Sequence, residues 1–576
     1  MKVSLLSNKL YTHILMLISL VLTFSLLNLS WVIGGSLEFH RSLWWVQAMD
    51  VSVLIKVDYL SLGFLFMVSV VSFTVLIYSN LYMAGSPDFN KFILILVSFI
   101  ASMMTLAFSG SLFWAFIGWD GLGLSSFCLV MFYQNWKSFN SALTTFIMNR
   151  VGDAFLLLSL WSILSMGSNI SMFSASAPFE YVVAGVSGLI CACSKSAQVP
   201  FSAWLPLAMA APTPVSSLVH SSTLVTAGIY MIIRFKSDFL YSNYQIFVLS
   251  LLSGMTILLA GVSSLVEFDL KKVIALSTLL HIGVMINSVA LQMFDLALFH
   301  MMAHAMFKSL LFMISGALIH LSRGSQDLRS LSCSSSPSIW MGLMIALSSM
   351  VGFPFMSGYY SKDLIILSSF SVGSFMKLWS MMTLSSAILF SSAYSFRLLL
   401  FLSLNRSKSS PLPMFTLKKE VSSIEMVKFS LYFGIILSVS LGSVLELHQD
   451  LTKWATLPSL VEVALKLFVW LALFLGLMIG YWVWKSYVLG KWNLATMGMW
   501  GMHWTSVRTM SQLFVSFSSL VKTSEKAGLL DFYLSTLSQP KLISLISLTF
   551  GDKKLFPPIS ISLISFLSLW WMMTSC

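Results

Sequence analysis

Apolar runs of about twenty residues follow one another along almost the whole chain, and a run of that length is what a helix needs to cross a bilayer. Candidates lie near 11–34, 59–79, 91–110, 111–133, 141–166, 181–209, 213–235, 245–266, 272–292, 296–320, 336–360, 376–403, 429–446, 463–488 and 556–574. That is about fifteen spans. Charged residues make up only 9% of the 576, against about 25% in soluble domains. The expected fold is therefore an all-α polytopic membrane protein.

The remaining composition fits that class. The net charge of +12 does not point to nucleic acid, because Lys2, Lys9, Arg41, Lys418, Lys419, Lys485 and Lys491 flank spans, where anionic headgroups attract them. Phospholipids are the expected contacts, and no nucleic acid. Cys128, Cys191, Cys193, Cys333 and Cys576 lie mostly in apolar segments without paired CxxC spacing. They read as buried small side chains, with neither a disulfide framework nor an iron–sulfur cluster. The run from Tyr11 to Gly34 is too long for a secretory signal and lacks an A-x-A site, so it reads as a retained helix. No Arg-rich transit peptide is visible, so an organellar location implies synthesis inside the organelle.

Four regions follow from the pattern. Residues 1–110 hold the first spans and, at 41–58, the aromatic and β-branched alternation of a short hairpin. Residues 111–403 are dense in spans and carry nearly every ionisable group at membrane depth. Residues 404–488 open with a polar loop from Asn405 to Lys428, containing Pro411 and Pro413, and continue into further spans. Residues 489–576 combine a less apolar stretch, 492–553, suited to a lateral amphipathic helix, with a final transmembrane anchor. Pro540 would kink that helix. Within the middle region, two spans are interrupted: one by Pro200, Pro206, Pro212 and Pro214 after Lys195, the other by Gly352, Pro354 and Gly358 before Lys362. Paired broken helices in two halves are the mark of an inverted-repeat transporter with sites near the midplane.

Ionisable side chains at bilayer depth cost roughly 2.5–3.5 kcal/mol on permissive scales, so those present point to function. Asp120, among Gly118, Gly121 and Gly123, reads as a proton-binding carboxylate or as a helix-end cap. Lys195 would pair with it, and changing their separation would load or release a proton; the alternative is a lysine snorkelling to the interface. Ser216, His220 and Thr223 form one polar stripe, suited to proton relay or to a core histidine satisfied by hydroxyls. His300, His304 and Lys308 share a helix face. The HxxxH spacing also matches zinc, but no third ligand accompanies it and Lys308 would repel a cation, so relay is expected. Arg150 and Asp153 read as a structural ion pair or a transport element. Asp269, Lys271 and Lys272 read as an interfacial cluster or a mid-chain relay. Lys362 and Asp363 offer an exit-path cation or a helix-start cap. No dinucleotide fingerprint, P-loop or nucleophile–base–acid set is present, so redox chemistry is not expected in this chain.

The motifs GWDGLGLSSFCLVMFYQN, NRVGD, KSAQVPFSAWLPLAMAAPTPVSSLVHSSTLVTAGIY, FDLKKVIALST, HMMAHAMFKSLLFMISG and GYYSKD, in this order over about residues 58–400, resemble the chain 5 family of NADH:ubiquinone oxidoreductase. The resemblance implies an antiporter-like fold with a long lateral helix, at the distal end of the membrane arm of respiratory complex I in the mitochondrial inner membrane. By motif position it puts Asp120 in the place of the family's key carboxylate, often Glu, and Lys195 in that of the broken-helix lysine. His220 becomes the connecting histidine, Lys362 the second-half lysine, and His304 and Lys308 members of the linking helix. Together they imply a hydrated proton axis driven by electron transfer elsewhere in the complex, beside neighbouring antiporter-like subunits. NADH, FMN, iron–sulfur clusters and ubiquinone would belong to the complex, with no cofactor or metal held by this chain. Two departures stand out: Asp120 is one methylene shorter than Glu, and there is room for one helix before the hairpin where many members have two. A stand-alone cation/proton antiporter and a structural scaffold, whose charges only hold helices together, are the alternative readings.

Overall fold

The computed structural model describes residues 37–46, 49–83, 86, 88–165, 178–240, 242–322, 324–331, 337–370, 374–404, 421–449 and 459–488. The chain divides into two compact units, Met1–Met497 and Gly498–Cys576. The second unit lies outside the described residues, as do the spans expected at 11–34 and 556–574, the lateral stretch 492–553, and most of the loop after Asn405.

The first unit opens with an antiparallel hairpin, β1 (Leu37–Val46) and β2 (Met49–Val57), somewhat longer than the one expected at 41–58. Its register sets Glu38 opposite Lys56, and the two side chains meet at 2.9 Å. Helices α1 (Tyr59–Tyr82), α2 (Phe89–Ala107), α3 (Leu112–Val130), α4 (Trp136–Ser165) and α5 (Pro178–Lys195) follow. A short α6 (Trp204–Ala208) precedes α7 (Thr213–Arg234), α8 (Asn243–Ser264), α9 (Leu270–Ala290) and α10 (Phe294–Leu321). The unit ends with α11 (Pro337–Val351), α12 (Ser357–Ser369), α13 (Ser374–Leu404), α14 (Val421–Gln449) and α15 (Ser459–Val488).

Among the described residues, eleven helices are long and apolar enough to cross a membrane. The difference from about fifteen has two sources. Two expected spans lie outside the described residues, and two more, 181–209 and 336–360, are broken into shorter helices. Helix starts follow local chemistry. Asp58 and Ser61 cap α1 reciprocally, the Ser61 amide donating to Asp58 Oδ1 and the Asp58 amide to Ser61 Oγ, and Ser242 and Gln245 form a capping box on α8. Helices α1, α7, α9 and α10 form the interior, while α15 turns Leu467, Leu471, Phe474, Met478 and Trp482 outward along one stripe suited to hydrocarbon.

Both breaks satisfy their own backbone. At the end of α5, the carbonyl of Ala192 accepts from the Ser196 amide, that of Cys193 from the Gln198 amide, and that of Ser194 from Trp204 Nε1 at 3.0 Å. Between α11 and α12 the chain turns through Gly352 and Phe355, both with positive φ, and the amides of Gly352 and Phe353 donate to Ser348 O. Gly358 passes so close to the Ser349 carbonyl that a Cβ there would collide with it.

One arginine ties the hairpin to the bundle. Arg234, at the end of α7, donates from NH1 to both carboxylate oxygens of Asp58 at 2.7 Å, from Nε to Ser109 O and from NH2 to Lys56 O. It therefore joins β2, the start of α1 and the α2–α3 turn. Removing one partner of a buried ion pair costs about 3–5 kcal/mol, so Arg234→Met is expected to destabilise the subunit by that order, measured as the thermal stability of the assembled protein.

Candidate functional site

The site is built from the ionisable side chains that α3, α4, α5, α7, α9, α10 and α12 turn inward. Lys195, in the last turn of α5, is fully buried. Its Nζ donates to the carbonyl of Trp119 at 2.5 Å and lies 3.8 Å from the centre of the Trp119 ring. The snorkelling reading does not hold for an amine so enclosed.

The expected pair between Lys195 and Asp120 is not formed. Successive residues of a helix point about 100° apart, and on α3 it is Trp119 that faces Lys195. Asp120, in mid-helix and so no cap, turns to a half-buried side where Arg150 of α4 reaches it, NH1 to Oδ1 at 2.7 Å. The same NH1 lies 3.2 Å from Oδ2 of the buried Asp153. One guanidinium thus holds two carboxylates. Both carboxylates stand near enough to act on the charge of Lys195 without bonding to it.

His220 lies in the middle of α7, where residues Ser216–Thr223 are wound as a π-helix. Such local unwinding is frequent at functional sites. The imidazole stands edge-on to Trp204, with ring centroids 6.2 Å apart, and neither ring nitrogen has a hydrogen-bond partner among the described residues. The neighbouring hydroxyls do not satisfy it: Ser216 Oγ donates to Thr213 O and Thr223 Oγ1 to Leu218 O. The π-helical segment packs against α10, which carries the next groups.

On α10, His300, His304 and Lys308 are all buried. Lys308 Nζ donates to Ser277 Oγ of α9 and lies 3.1 Å from the Met350 sulfur. His300 Nδ1 is 2.8 Å from Ser361 Oγ, the residue before Lys362. His304 has no partner on either nitrogen among the described residues. Lys362, buried in α12, donates to the carbonyls of Met350 and Val351 and to Ser391 Oγ. Met350 thus meets both lysines, Lys308 through its sulfur and Lys362 through its carbonyl. A small crevice of Val284, Ile365, Ile366, Leu384, Ala387 and Ile388 adjoins Lys362, which is its one charged lining residue.

Sequence reasoning missed His281. Placed on α9 in the apolar run LLHIGVMINS, it lies with Nδ1 3.3 Å from His300 Nε2 and with its ring centre 5.4 Å from that of His304. The signal was available, since a histidine at membrane depth is the same anomaly that drew attention to His220.

Other expected groups lie off this axis. Lys272 and Asp269 pair at 3.2 Å on a partly exposed helix start, whereas Lys271 is buried and donates to Ala211 O, tying α9 to the segment before α7. Asp363 sits in the second turn of α12 and accepts from Tyr359, so neither it nor Lys362 caps that helix. Among the described residues, no group of three or more His, Cys, Asp and Glu side chains is placed to hold a metal ion.

With this geometry in place, the sequence matches two described families: NADH:quinone oxidoreductase/Mrp antiporter, TM, over residues 109–391, and NADH-Ubiquinone oxidoreductase (complex I), chain 5 N-terminus, over residues 44–93. NADH-ubiquinone oxidoreductase chain 5 of Anopheles quadrimaculatus is 39% identical over 481 residues, 81% of this chain and 80% of that one. The protein of the same name from Aedes aegypti is 40% identical over 405 residues, 69% and 68% of the two chains, and that from Mytilus edulis is 40% identical over 423 residues, 72% of each. Among solved structures, the Mrp complex from Dietzia sp. DQ12-45-1b aligns with a TM-score of 0.68 at 21% identity, covering 96% of this chain and 60% of that chain. The membrane-bound sulfane sulfur reductase, an archaeal respiratory membrane complex, aligns at 0.63 and 18%, covering 78% and 93%. These structural likenesses show an antiporter-like fold.

The shared guanidinium generates a prediction. Arg150→Met leaves Asp120 and Asp153 as neighbouring carboxylates without a cation between them, and is expected to lower the membrane level of the subunit several-fold. The double variant Arg150→Met with Asp120→Asn should recover part of it, as measured by quantitative immunoblot.

Proposed function

Since the chain belongs to the NADH-ubiquinone oxidoreductase chain 5 family, we propose that its buried axis of lysines and histidines is the route by which it moves protons. The protein is a proton-translocating membrane subunit of complex I and a multi-pass protein of the mitochondrial inner membrane, working within a complex that contains other membrane-arm subunits. The proposed immediate neighbours are antiporter-like subunits of the same arm. NADH, FMN, the iron–sulfur clusters and ubiquinone are assigned to other subunits, and this chain handles protons alone.

The observation that carries the route is the company kept by Lys195, Lys308 and Lys362. Each amine is buried in the bundle, and its hydrogen bonds go to backbone carbonyls, hydroxyls or a thioether rather than to a carboxylate. An amine so placed can stand with or without its proton, because no fixed counter-ion holds the charge. The Asp120–Arg150–Asp153 cluster supplies the control. While Arg150 engages both carboxylates, it offsets part of their charge at Lys195; release of Asp153 leaves more negative charge acting on Lys195 and draws a proton onto it. His220 bridges from there toward α10, where His304 and Lys308 pass the proton on to the Lys362 end.

Replacing Lys195, Lys308 or Lys362 by Met removes a proton carrier while keeping an unbranched apolar stem of similar reach. Each variant is expected to lower protons translocated per electron by roughly twofold or more in assembled complex I, measured in sealed vesicles oxidising NADH. An unchanged ratio in any of the three, with normal assembly, overturns the route.

A further inference from the structure

We infer that His281 is a positioning residue for this route: its hydrogen bond to His300 holds that imidazole in the orientation that addresses Ser361 and, beyond it, Lys362. The inference rests on the proton route proposed above and adds two residues to its Lys362 end: His300, which contacts Ser361, and His281, which holds it.

Four observations converge on it. His281 is fully buried in α9, an interior helix, so its ring is present at the cost of desolvation and not as a surface residue. Its Nδ1 lies 3.3 Å from His300 Nε2, and His300 Nδ1 lies 2.8 Å from Ser361 Oγ, so both nitrogens of His300 are engaged, one on each side. Ser277, one helical turn before His281 on the same face of α9, accepts from Lys308 Nζ. The remaining nitrogen of His281, Nε2, is buried and without a partner among the described residues. The order Lys308, Ser277, His281, His300, Ser361, Lys362 therefore runs from one lysine to the other along contacts and adjacent turns.

The tautomer of an imidazole is set by the bond that its other nitrogen makes. If His281 donates from Nδ1, His300 must accept at Nε2 and carry its hydrogen on Nδ1, directed at Ser361; if His281 accepts, the hydrogen of His300 moves to Nε2 and Ser361 becomes the donor. Both arrangements keep His300 in place, and they differ only in the direction in which its bonds point. A side chain that can donate or accept is required opposite His300 Nε2, and an apolar one leaves that nitrogen unsatisfied and the ring held on the Ser361 side alone. His304, whose ring centre stands 5.4 Å from that of His281 and 6.5 Å from that of His300, is not hydrogen-bonded to either and does not replace this contact.

The test compares His281→Phe, His281→Gln and Lys362→Met in assembled complex I, reading protons translocated per electron in sealed vesicles together with the rate of NADH oxidation. Phe fills the space without a polar atom; Gln keeps a group that donates and accepts. The expected result is a roughly twofold or greater fall in the ratio for His281→Phe and a ratio near that of the parent for His281→Gln. A parental ratio in assembled His281→Phe overturns the inference, and so does a His281→Gln ratio as low as that of His281→Phe, because the loss then does not follow the hydrogen bond. Should His281→Phe fail to assemble, His281→Asn decides: polar but one methylene shorter than Gln, it is expected to pump less, and equal pumping overturns the inference. Lys362→Met separates the two failures. An unchanged ratio there brings down the route itself, whereas a loss in Lys362→Met with none in His281→Phe brings down only the role of His281.

Discussion

Backbone left free where two helices stop inside the membrane is the condition on which the rest of this structure depends. Hydrocarbon offers no hydrogen bonds, so every carbonyl released at the end of α5 and of α11 has to be met by the protein itself. The first break meets this with amides from the following turn and with Trp204. The second uses Lys362, whose amine sits on the carbonyls of Met350 and Val351. A cation at the C-terminal end of a half-helix is also favoured by the helix dipole. Breaking the helix and housing the lysine are thus one structural solution at that site.

The two halves use the same elements differently. Lys195 belongs to the last turn of the helix that breaks and looks across to a carbonyl of α3, whereas Lys362 follows its break and looks back to the helix that precedes it. Both avoid a direct carboxylate partner. The acids near Lys195 are instead collected by Arg150, and Asp363, next to Lys362 in sequence, accepts from Tyr359. Keeping carboxylates one step removed from the amines leaves the charge on each amine responsive to small movements of its neighbours.

Much of this was legible in the sequence. Spans, both interruptions, the hairpin and the clustering of His300, His304 and Lys308 on one face follow from apolar run length, proline and glycine placement, and helical periodicity. Asp120 shows where such reasoning stops. Its membrane depth and its neighbours in the chain are readable, but charge alone points to Lys195 as its partner, whereas the pitch of α3 presents Trp119 to that amine and leaves Asp120 to Arg150. His281 carries the same membrane-depth signal as His220, but no neighbour in its own helix tells what it does. It gains a role only from His300 across the interface, nineteen residues away in the chain.

What the amino-acid order determined by itself is the membrane class, the places where helices run and break, and the set of ionisable groups buried with them, since each depends on local composition and the thickness of a bilayer. What only the tertiary structure decided is who meets whom: Arg150 shared by two aspartates, Met350 between two lysines, and His281 against His300. Those pairings depend on the rotation of each helix about its axis and on which helix packs beside it. Both are settled by the packing of the whole bundle, because turning a helix by one residue redirects its side chains by about 100°.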